Sequence, residues 1–105
     1  MILFKKKFLE LIASGAKRQT VRVWPKRRLR AGQREFVPGL GRIRITAFEP
    51  IRPDDLTEDD ARLDGFESRA ALMVELRDLY GDRLDEVACF RIRFTYPADE
   101  GEGGA

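Results

Sequence analysis

The first apolar residues of the chain follow a helical pattern. They are Phe4, Phe8, Leu11 and Ile12. Because one face of an α-helix repeats every three to four residues, this spacing predicts a helix over residues 5–14. Gly15 is expected to end the helix, since the left-handed residue that follows a helix is usually glycine.

An alternating pattern begins shortly after this glycine. Residues 20–24 alternate between polar and apolar side chains, as a half-buried strand does. Val21 and Val23 share one face of the predicted strand. The other face carries Thr20, Arg22 and Trp24. We expect this second face to be exposed, with the amine of Lys17 close to it, although an ordinary amphipathic strand would show the same pattern.

Four further segments are predicted as strands. They are residues 2–4, 35–37, 42–48 and 87–96. In the third segment, Ile43, Ile45 and Ala47 are expected to face the core, and Pro50 and Pro53 to end the strand. In the last segment, the predicted core face consists of Phe90, Ile92, Phe94 and Tyr96.

Two more helices are predicted in the second half of the chain. Thr57 and Asp60 have the spacing of a capping box at the start of a helix over residues 57–63. A longer helix is predicted over residues 68–80. Asp64 falls at the break between these helices, where helix capping does not account for a carboxylate.

A chain of 105 residues is long enough for one domain. We expect this domain to span residues 1–96, followed by a disordered acidic tail over residues 97–105. No apolar run approaches the roughly 18 residues that span a bilayer, and no signal-peptide pattern is seen. A cytoplasmic monomer without a membrane partner is therefore expected. Cys89, the single cysteine, lies in an apolar run, which favours a buried thiol.

Charge is distributed unevenly along the chain. Residues 1–44 contain thirteen lysines and arginines but two acids, a net charge of +11, whereas residues 45–105 carry a net charge of −9. This asymmetry favours a surface that binds a polyanion such as RNA. The alternative is that the two halves neutralise each other in the fold.

Residues 25–34 form the most basic segment, with five lysines or arginines and no acid. The predicted phosphate contacts in it are Arg27, Arg28 and Arg30. Trp24 precedes this segment and has two interpretations, a stacking face for a base or an anchor in the core. In the lysine run at residues 5–7, Lys6 is the predicted ligand contact.

The chain contains no histidine and a single cysteine. Metal sites built from cysteine and histidine are therefore excluded, as are nucleophiles activated by histidine. No metal and no cofactor are expected. Acid–base chemistry at neutral pH would have to come from a carboxylate or a lysine with a shifted pKa.

The order of the elements, together with two motifs, resembles the ASCH domain family over residues 2–96. The first motif, G-x-K-x-x-T-x-R, consists of Gly15, Lys17, Thr20 and Arg22. The second consists of Asp60, Ala61 and the D-G-F sequence at residues 64–66. The resemblance implies an α+β, mainly β fold: a small β-barrel of the PUA-like superfold with flanking helices. With the alternating pattern, it predicts five or six mostly antiparallel strands.

The resemblance also implies function. The family is associated with RNA binding; some small members resemble amidohydrolases that deacetylate N4-acetylcytidine, and a ribonuclease activity is described for others. In the amidohydrolases the catalytic residues are a lysine, a threonine and a glutamate. Lys17 and Thr20 match the first two, and Asp64, one methylene shorter, stands at the third. Arg22 matches the arginine of the motif, a ligand or carboxylate partner.

Three functions remain open at this stage. The first is binding of RNA or a nucleotide, through a cleft under the barrel and the basic segment. The second is hydrolysis, in which an uncharged Lys17 accepts the proton of Thr20. This requires the strand to begin after Lys17, because strand parity otherwise places the two on opposite faces. The third is a protein adaptor that uses the acidic helical half.

Overall fold

Four of the alternating segments form one antiparallel sheet. In the computed structural model, which describes residues 1–98, the strands are β1 (Gln19–Val23), β2 (Arg34–Val37), β3 (Gly41–Ile51) and β4 (Cys89–Thr95). Their order in the sheet is β1-β4-β3-β2. The sheet curls into a half-barrel with flanking helices, which confirms the predicted α+β, PUA-like fold class.

The described residues contain one or two strands fewer than predicted. Residues 2–4 do not join the sheet as a strand. The Ile2 N–H donates one hydrogen bond to the Phe36 carbonyl at 3.0 Å, and the first helix begins at Lys6. A segment this short, followed at once by a helix, cannot build a ladder of strand pairing.

Strand β3 is longer than predicted because it contains a β-bulge and continues through a proline. The bulge lies between Ile45 and Ala47 and shifts the alternation by one residue, so that Phe48 is buried in place of Ala47. Pro50 does not end the strand but pairs with Phe90. Strand β2 pairs only with the first residues of β3, so within the described residues the edge of β3 opposite β4 is unpaired at Pro50. Proline lacks an N–H, but on an unpaired edge this absence does not remove a hydrogen bond of the sheet.

The predicted helices form within one residue of their expected bounds. They are α1 (Lys6–Ser14), α2 (Glu58–Leu63) and α3 (Arg69–Tyr80). A 3-10 turn at Pro53–Asp55 and a short helix α4 (Arg83–Glu86) were not predicted, because neither is long enough to show a helical period. None of the helices within the described residues has the length and apolar character needed to cross a bilayer.

Buried apolar side chains form two clusters, one on each face of the sheet. The first cluster includes Ile12 from α1 and the inward residues of β3 and β4. Its strand residues include Ile43, Ile45, Phe48, Phe90, Ile92 and Phe94. The second cluster joins Val21 and Val23 of β1 to helices α2–α4. The predicted core face of the last strand is confirmed, and Tyr96 packs against the same cluster.

The polar face of β1 lies on the inner side of the curled sheet. Thr20 pairs with Ile92, and Arg22 with Phe90, so both side chains project from the same face as the first apolar cluster. Thr20 is only 5% exposed, and Arg22 is half-buried. The expectation of an exposed face is therefore wrong, because the sheet curls and the N-terminal segment contacts this face, with Arg22 bound to the Leu3 carbonyl and packed on the Phe4 ring.

Cys89 is buried, as predicted, and is 4% exposed. Burial raises the pKa of its thiol to about 11, so the thiol is protonated at neutral pH. Near the end of the described chain, the Ala98 N–H donates to the Arg42 carbonyl at 2.9 Å. Most of the predicted acidic tail, residues 99–105, lies outside the described residues.

Candidate functional site

A pocket of about 160 Å³ opens between the start of α1, strand β1 and helix α3. It brings together four residues of the sequence motifs, namely Lys17, Thr20, Arg22 and Asp64. Much of its wall is aromatic and consists of Phe4, Phe8, Phe66 and Tyr80. A set of polar groups in a pocket with apolar and aromatic walls is typical of a small-molecule binding site.

Lys17 reaches this pocket because the regular strand begins after it. Its backbone N–H donates to the Leu11 carbonyl at 3.0 Å, and the next residue, Arg18, donates to the Leu63 carbonyl at 2.7 Å. These bonds hold residues 16–18 between α1 and α2 before β1 starts at Gln19. Lys17 does not belong to the strand. The alternation of strand side chains therefore does not place it on the face opposite Thr20.

Lys17 and Asp64 form a buried ion pair. The Lys17 ammonium donates to Asp64 Oδ1 and, at 2.6 Å, to the Asp64 backbone carbonyl. Both residues are almost fully buried, at 2% and 3% exposure. The Lys17 Nζ also lies 4.6 Å from the centroid of the Phe8 ring, within the range of a cation–π contact. The other carboxylate oxygen, Asp64 Oδ2, is buried without a hydrogen-bond partner.

Burial shifts the pKa values of this pair in opposite directions. Desolvation penalises both charged forms, so it lowers the pKa of Lys17 and raises the pKa of Asp64. The attraction between the two charges opposes both shifts, and the nearby Arg22 lowers the pKa of each. The result is an amine that loses its proton, and a carboxyl that gains one, more readily than either does in water.

Arg22 connects Thr20 to the wall of the pocket. Its Nε donates to Thr20 Oγ1 at 3.0 Å, and its Nη2 donates to the Leu3 carbonyl at 2.7 Å. The guanidinium also lies 4.8 Å from the centroid of the Phe4 ring. Arg22 thus holds the threonine hydroxyl and places a positive charge in the pocket lining.

Sequence reasoning missed Glu75, which also lines the pocket. It accepts hydrogen bonds from Lys5 at 2.8 Å and from Lys7 at 3.2 Å, and these lysines lower the pKa of its carboxyl. A signal for it was present. Glu75 lies three residues after Leu72 and four before Leu79, so helical periodicity places a carboxylate on the apolar face of α3.

The other predicted contacts lie outside this pocket. Lys6 is exposed and does not line the pocket, whereas its neighbour Lys5 lines it. Trp24 is half-buried, and its ring stacks on Phe48 at a centroid distance of 6.1 Å. The exposed arginines of the basic segment, Arg27, Arg28 and Arg30, border two neighbouring depressions.

The described residues contain no cluster of three or more cysteine, aspartate or glutamate side chains that could hold a metal ion. Asp60, which belongs to the second motif, has a structural role and does not line the pocket. It is 2% exposed, accepts from the Thr57 N–H at 2.9 Å and pairs with Arg91 of β4 at 3.2 Å. Asp60 therefore anchors α2 to the sheet, and α2 carries Asp64 at its end.

Comparison with known proteins assigns the fold. Neither the models of known protein families nor the curated protein sequences give a match to this chain. Solved structures do, and they make the chain an ASCH-like domain by fold. The ASCH domain from Lactobacillus crispatus JV V101 matches with a TM-score of 0.71, over 83% of this chain and 68% of that chain, at 18% identity.

Two further solved structures share the fold. The hypothetical protein PH0355 matches with a TM-score of 0.76 at 16% identity, over 89% of this chain and 94% of its own. Protein EF3133 from Enterococcus faecalis V583, of family model DUF984, matches with a TM-score of 0.63 at 17% identity. That match covers 85% of this chain and 69% of EF3133. Identities this low establish the fold alone.

Gly65 permits the close packing beside Lys17, and its replacement provides a test. Gly65 and Gly32 have similar left-handed backbones, with φ of 92° and 91°. Alanine therefore costs about 1–2 kcal/mol at either position. At Gly65 the new Cβ would also lie 3.2 Å from Leu11 Cδ1 and 3.5 Å from Lys17 Cβ, whereas at Gly32 nothing lies within 4 Å.

We expect Gly65→Ala to lower the free energy of unfolding by about 1 kcal/mol more than Gly32→Ala, because overpacking adds to the backbone cost. Urea unfolding of the two variants measures this difference. Equal decreases in the free energy of unfolding would show that the loop beside Lys17 accommodates the extra methyl group without strain.

Proposed function

We propose that this chain is an ASCH-type domain that binds RNA or a nucleotide in the pocket beside Lys17 and Asp64. One observation carries the proposal: Asp64 lines a pocket with a partly aromatic wall, and its Oδ2 is a buried acceptor without a hydrogen-bond partner among the described residues. A buried acceptor of this kind costs free energy unless a donor arrives. A nucleobase supplies both an N–H donor and a flat ring that packs against aromatic side chains.

Charge supports the same proposal. Among residues 1–98, no carboxylate forms an ion pair with Arg27, Arg28 or Arg30. These three arginines are therefore not paired with carboxylates of the described residues, whereas Lys5 and Lys7 pair with Glu75 and Lys17 pairs with Asp64. The exposed guanidinium groups of the three arginines suit the phosphates of a ligand whose base enters the pocket.

The salt dependence of binding tests the phosphate contacts. For a short single-stranded RNA, the affinity of the wild type should fall steeply with salt, because each neutralised phosphate releases counterions. Replacing Arg27, Arg28 and Arg30 together with glutamine should reduce the slope of log affinity against log salt concentration by about two units. Titrations with labelled RNA at several salt concentrations measure the slope.

A matched control removes three positive charges elsewhere. It replaces the exposed helical residues Arg62, Arg77 and Arg83 with glutamine. This variant has the same net charge as the basic-segment variant, so a slope close to that of the wild type shows that position matters. Equal decreases of the slope in both variants would show that only net charge matters. An unchanged slope in the basic-segment variant would show that this segment does not contact phosphate.

A second candidate function is hydrolysis of an amide such as that of N4-acetylcytidine. It is favoured by the pairing of an amine of lowered pKa, Lys17, with a threonine hydroxyl on the same pocket. An uncharged Lys17 amine is a base that could take the Thr20 proton, and Arg22 already donates to that oxygen. Asp64 would hold the amine or pass a proton to the leaving group.

A further inference from the structure

Three depressions lie side by side on the surface and share their walls. The pocket beside Lys17 and a second depression of about 480 Å³ have Leu3 and Arg22 in common. The second depression and a third, of about 240 Å³, have Arg28, Leu29 and Gln33 in common. Arg27 and Arg30 complete the third. The three depressions are therefore neighbours, in the order from the pocket beside the ion pair to the basic segment.

We propose that these three neighbouring depressions act as one groove, which binds a single strand of RNA at least three nucleotides long. One base enters the pocket beside Asp64, the next nucleotide occupies the second depression against Trp24, and the following phosphates lie along the basic segment. This inference rests on the proposed function, and it names the ligand as an oligonucleotide strand in place of a free nucleoside.

The second depression has the groups that a nucleotide needs. Trp24 is half-buried and lines it. Its ring stacks on Phe48, and the Arg28 guanidinium lies over the ring at 4.9 Å from the centroid, so a base that stacks on Trp24 takes the place of this guanidinium. The displaced Arg28 side chain can then bind the phosphate. Arg22 lines both this depression and the first pocket.

The polar groups of this depression are held in place and their negative charge is compensated. Gln33 donates to Glu35 at 2.8 Å and accepts from the Arg30 N–H at 3.1 Å. The Glu35 carboxylate also pairs with the terminal amine of Met1 at 2.8 Å. Glu35 is therefore neutralised locally, and the guanidinium groups of Arg22 and Arg28 leave the depression positively charged.

The depth of the first pocket favours a single strand. The Lys17 and Asp64 side chains are almost fully buried, so a base reaches Asp64 only by moving pocket side chains aside, and a base held in a duplex cannot enter far enough to do so. A base at a loop or in an unpaired strand can turn into the pocket at little cost. The groove beyond the pocket then follows the backbone of that strand, as in other single-strand binding sites.

Affinity as a function of RNA length tests the groove. The probes are labelled homopolymeric RNAs of one, three and six nucleotides, prepared for each of the four bases, and binding is followed by fluorescence anisotropy. We expect three nucleotides to bind at least about tenfold more tightly than one, and six to add little. Trp24 is the only tryptophan, so its fluorescence should change with the trinucleotide more than with the mononucleotide.

Two variants probe the second depression. Trp24→Leu, which keeps an apolar side chain against Phe48, and Arg28→Gln should each weaken trinucleotide binding about tenfold more than mononucleotide binding. Arg83→Gln, an exposed arginine outside the three depressions, is the control and should change neither. The same three-nucleotide sequence should also be tested in the stem of a hairpin RNA, where it is base-paired. We expect this hairpin to bind at least about tenfold more weakly than the free trinucleotide.

The outcomes separate the two proposals. If mononucleotides bind in the pocket but length brings no gain, the groove is overturned and the proposed function stands. If a duplex binds as well as the single strand, the groove is overturned as well. If no RNA and no nucleotide binds to the folded protein, both proposals fall together.

Discussion

Replacing Lys17 with methionine is expected to lower the free energy of unfolding by about 3–5 kcal/mol at neutral pH. The change removes the partner of a buried carboxylate, and Asp64 is 3% exposed with one oxygen already unpaired. An isolated charge in such a site is costly because neither water nor a counterion compensates it. Urea unfolding of the variant and the wild type measures the loss.

The loss should depend on pH in a defined direction. Burial raises the pKa of Asp64 in the folded protein, and loss of the Lys17 charge raises it further. The folded state then holds the carboxyl proton to a higher pH than the unfolded state, where the pKa is about 4. The variant is therefore closest to the wild type below about pH 4, and its stability falls as pH rises through the folded pKa of Asp64.

Two controls complete this experiment. Lys6→Met removes an exposed lysine and should change the unfolding free energy by no more than about 0.5 kcal/mol. The double variant Lys17→Met with Asp64→Leu removes both charges and should recover much of the stability, because apolar replacement of a buried pair is often neutral. A Lys17→Met protein as stable as the Lys6→Met protein would show that the pair is not buried in solution.

The amidohydrolase candidate predicts that the purified protein releases acetate from N4-acetylcytidine, and that Thr20→Val lowers the rate at least about a hundredfold. Valine retains the shape of threonine but has no hydroxyl. Lys17→Arg should abolish the activity as well, since arginine keeps the positive charge but cannot act as a base. Acetate release measured chromatographically, with circular dichroism to check folding, gives the result.

Asp64→Glu distinguishes two forms of the candidate site. Glutamate should raise the rate if this site is a weakened version of the amidohydrolase one, because the longer side chain reaches the position that glutamate occupies in those enzymes. It should lower the rate if the pocket is shaped around aspartate, whose Oδ1 already meets Lys17. Absence of acetate release from wild-type protein that is folded and binds nucleotides would exclude this candidate and leave the pocket as a binding site.

Much of the fold was predictable because local patterns agree with it. The 3.6-residue spacing placed α1 and α3, and the capping box of Thr57 and Asp60 placed the start of α2. Departures occurred where a local rule depends on neighbouring strands. The bulge after Ile45 and the continuation of β3 through Pro50 follow from pairing with β4. Which strands pair, and in what register, cannot be read from the local pattern of one sequence.

The candidate site was only partly predictable. The two motifs named Lys17, Thr20, Arg22 and Asp64, and the structure brings these four residues to one pocket. Their burial was not predicted, because the alternation of β1 describes two faces of a strand and not which one the curled sheet encloses. The position of Glu75 on the apolar face of α3 was visible in the helical spacing, but its pairing with two lysines about seventy residues earlier was not.

The sequence by itself determined helices α1–α3, the alternating strands, the separation of positive and negative charge and the residue types available for chemistry. These properties depend on side chains a few residues apart, so they are visible along the chain. Only the tertiary structure decided that Lys17 and Asp64 are buried together, that Asp64 retains an unpaired oxygen and that three depressions share their walls. Burial and cavities arise where distant segments pack, and sheet curvature and long-range pairing set that packing.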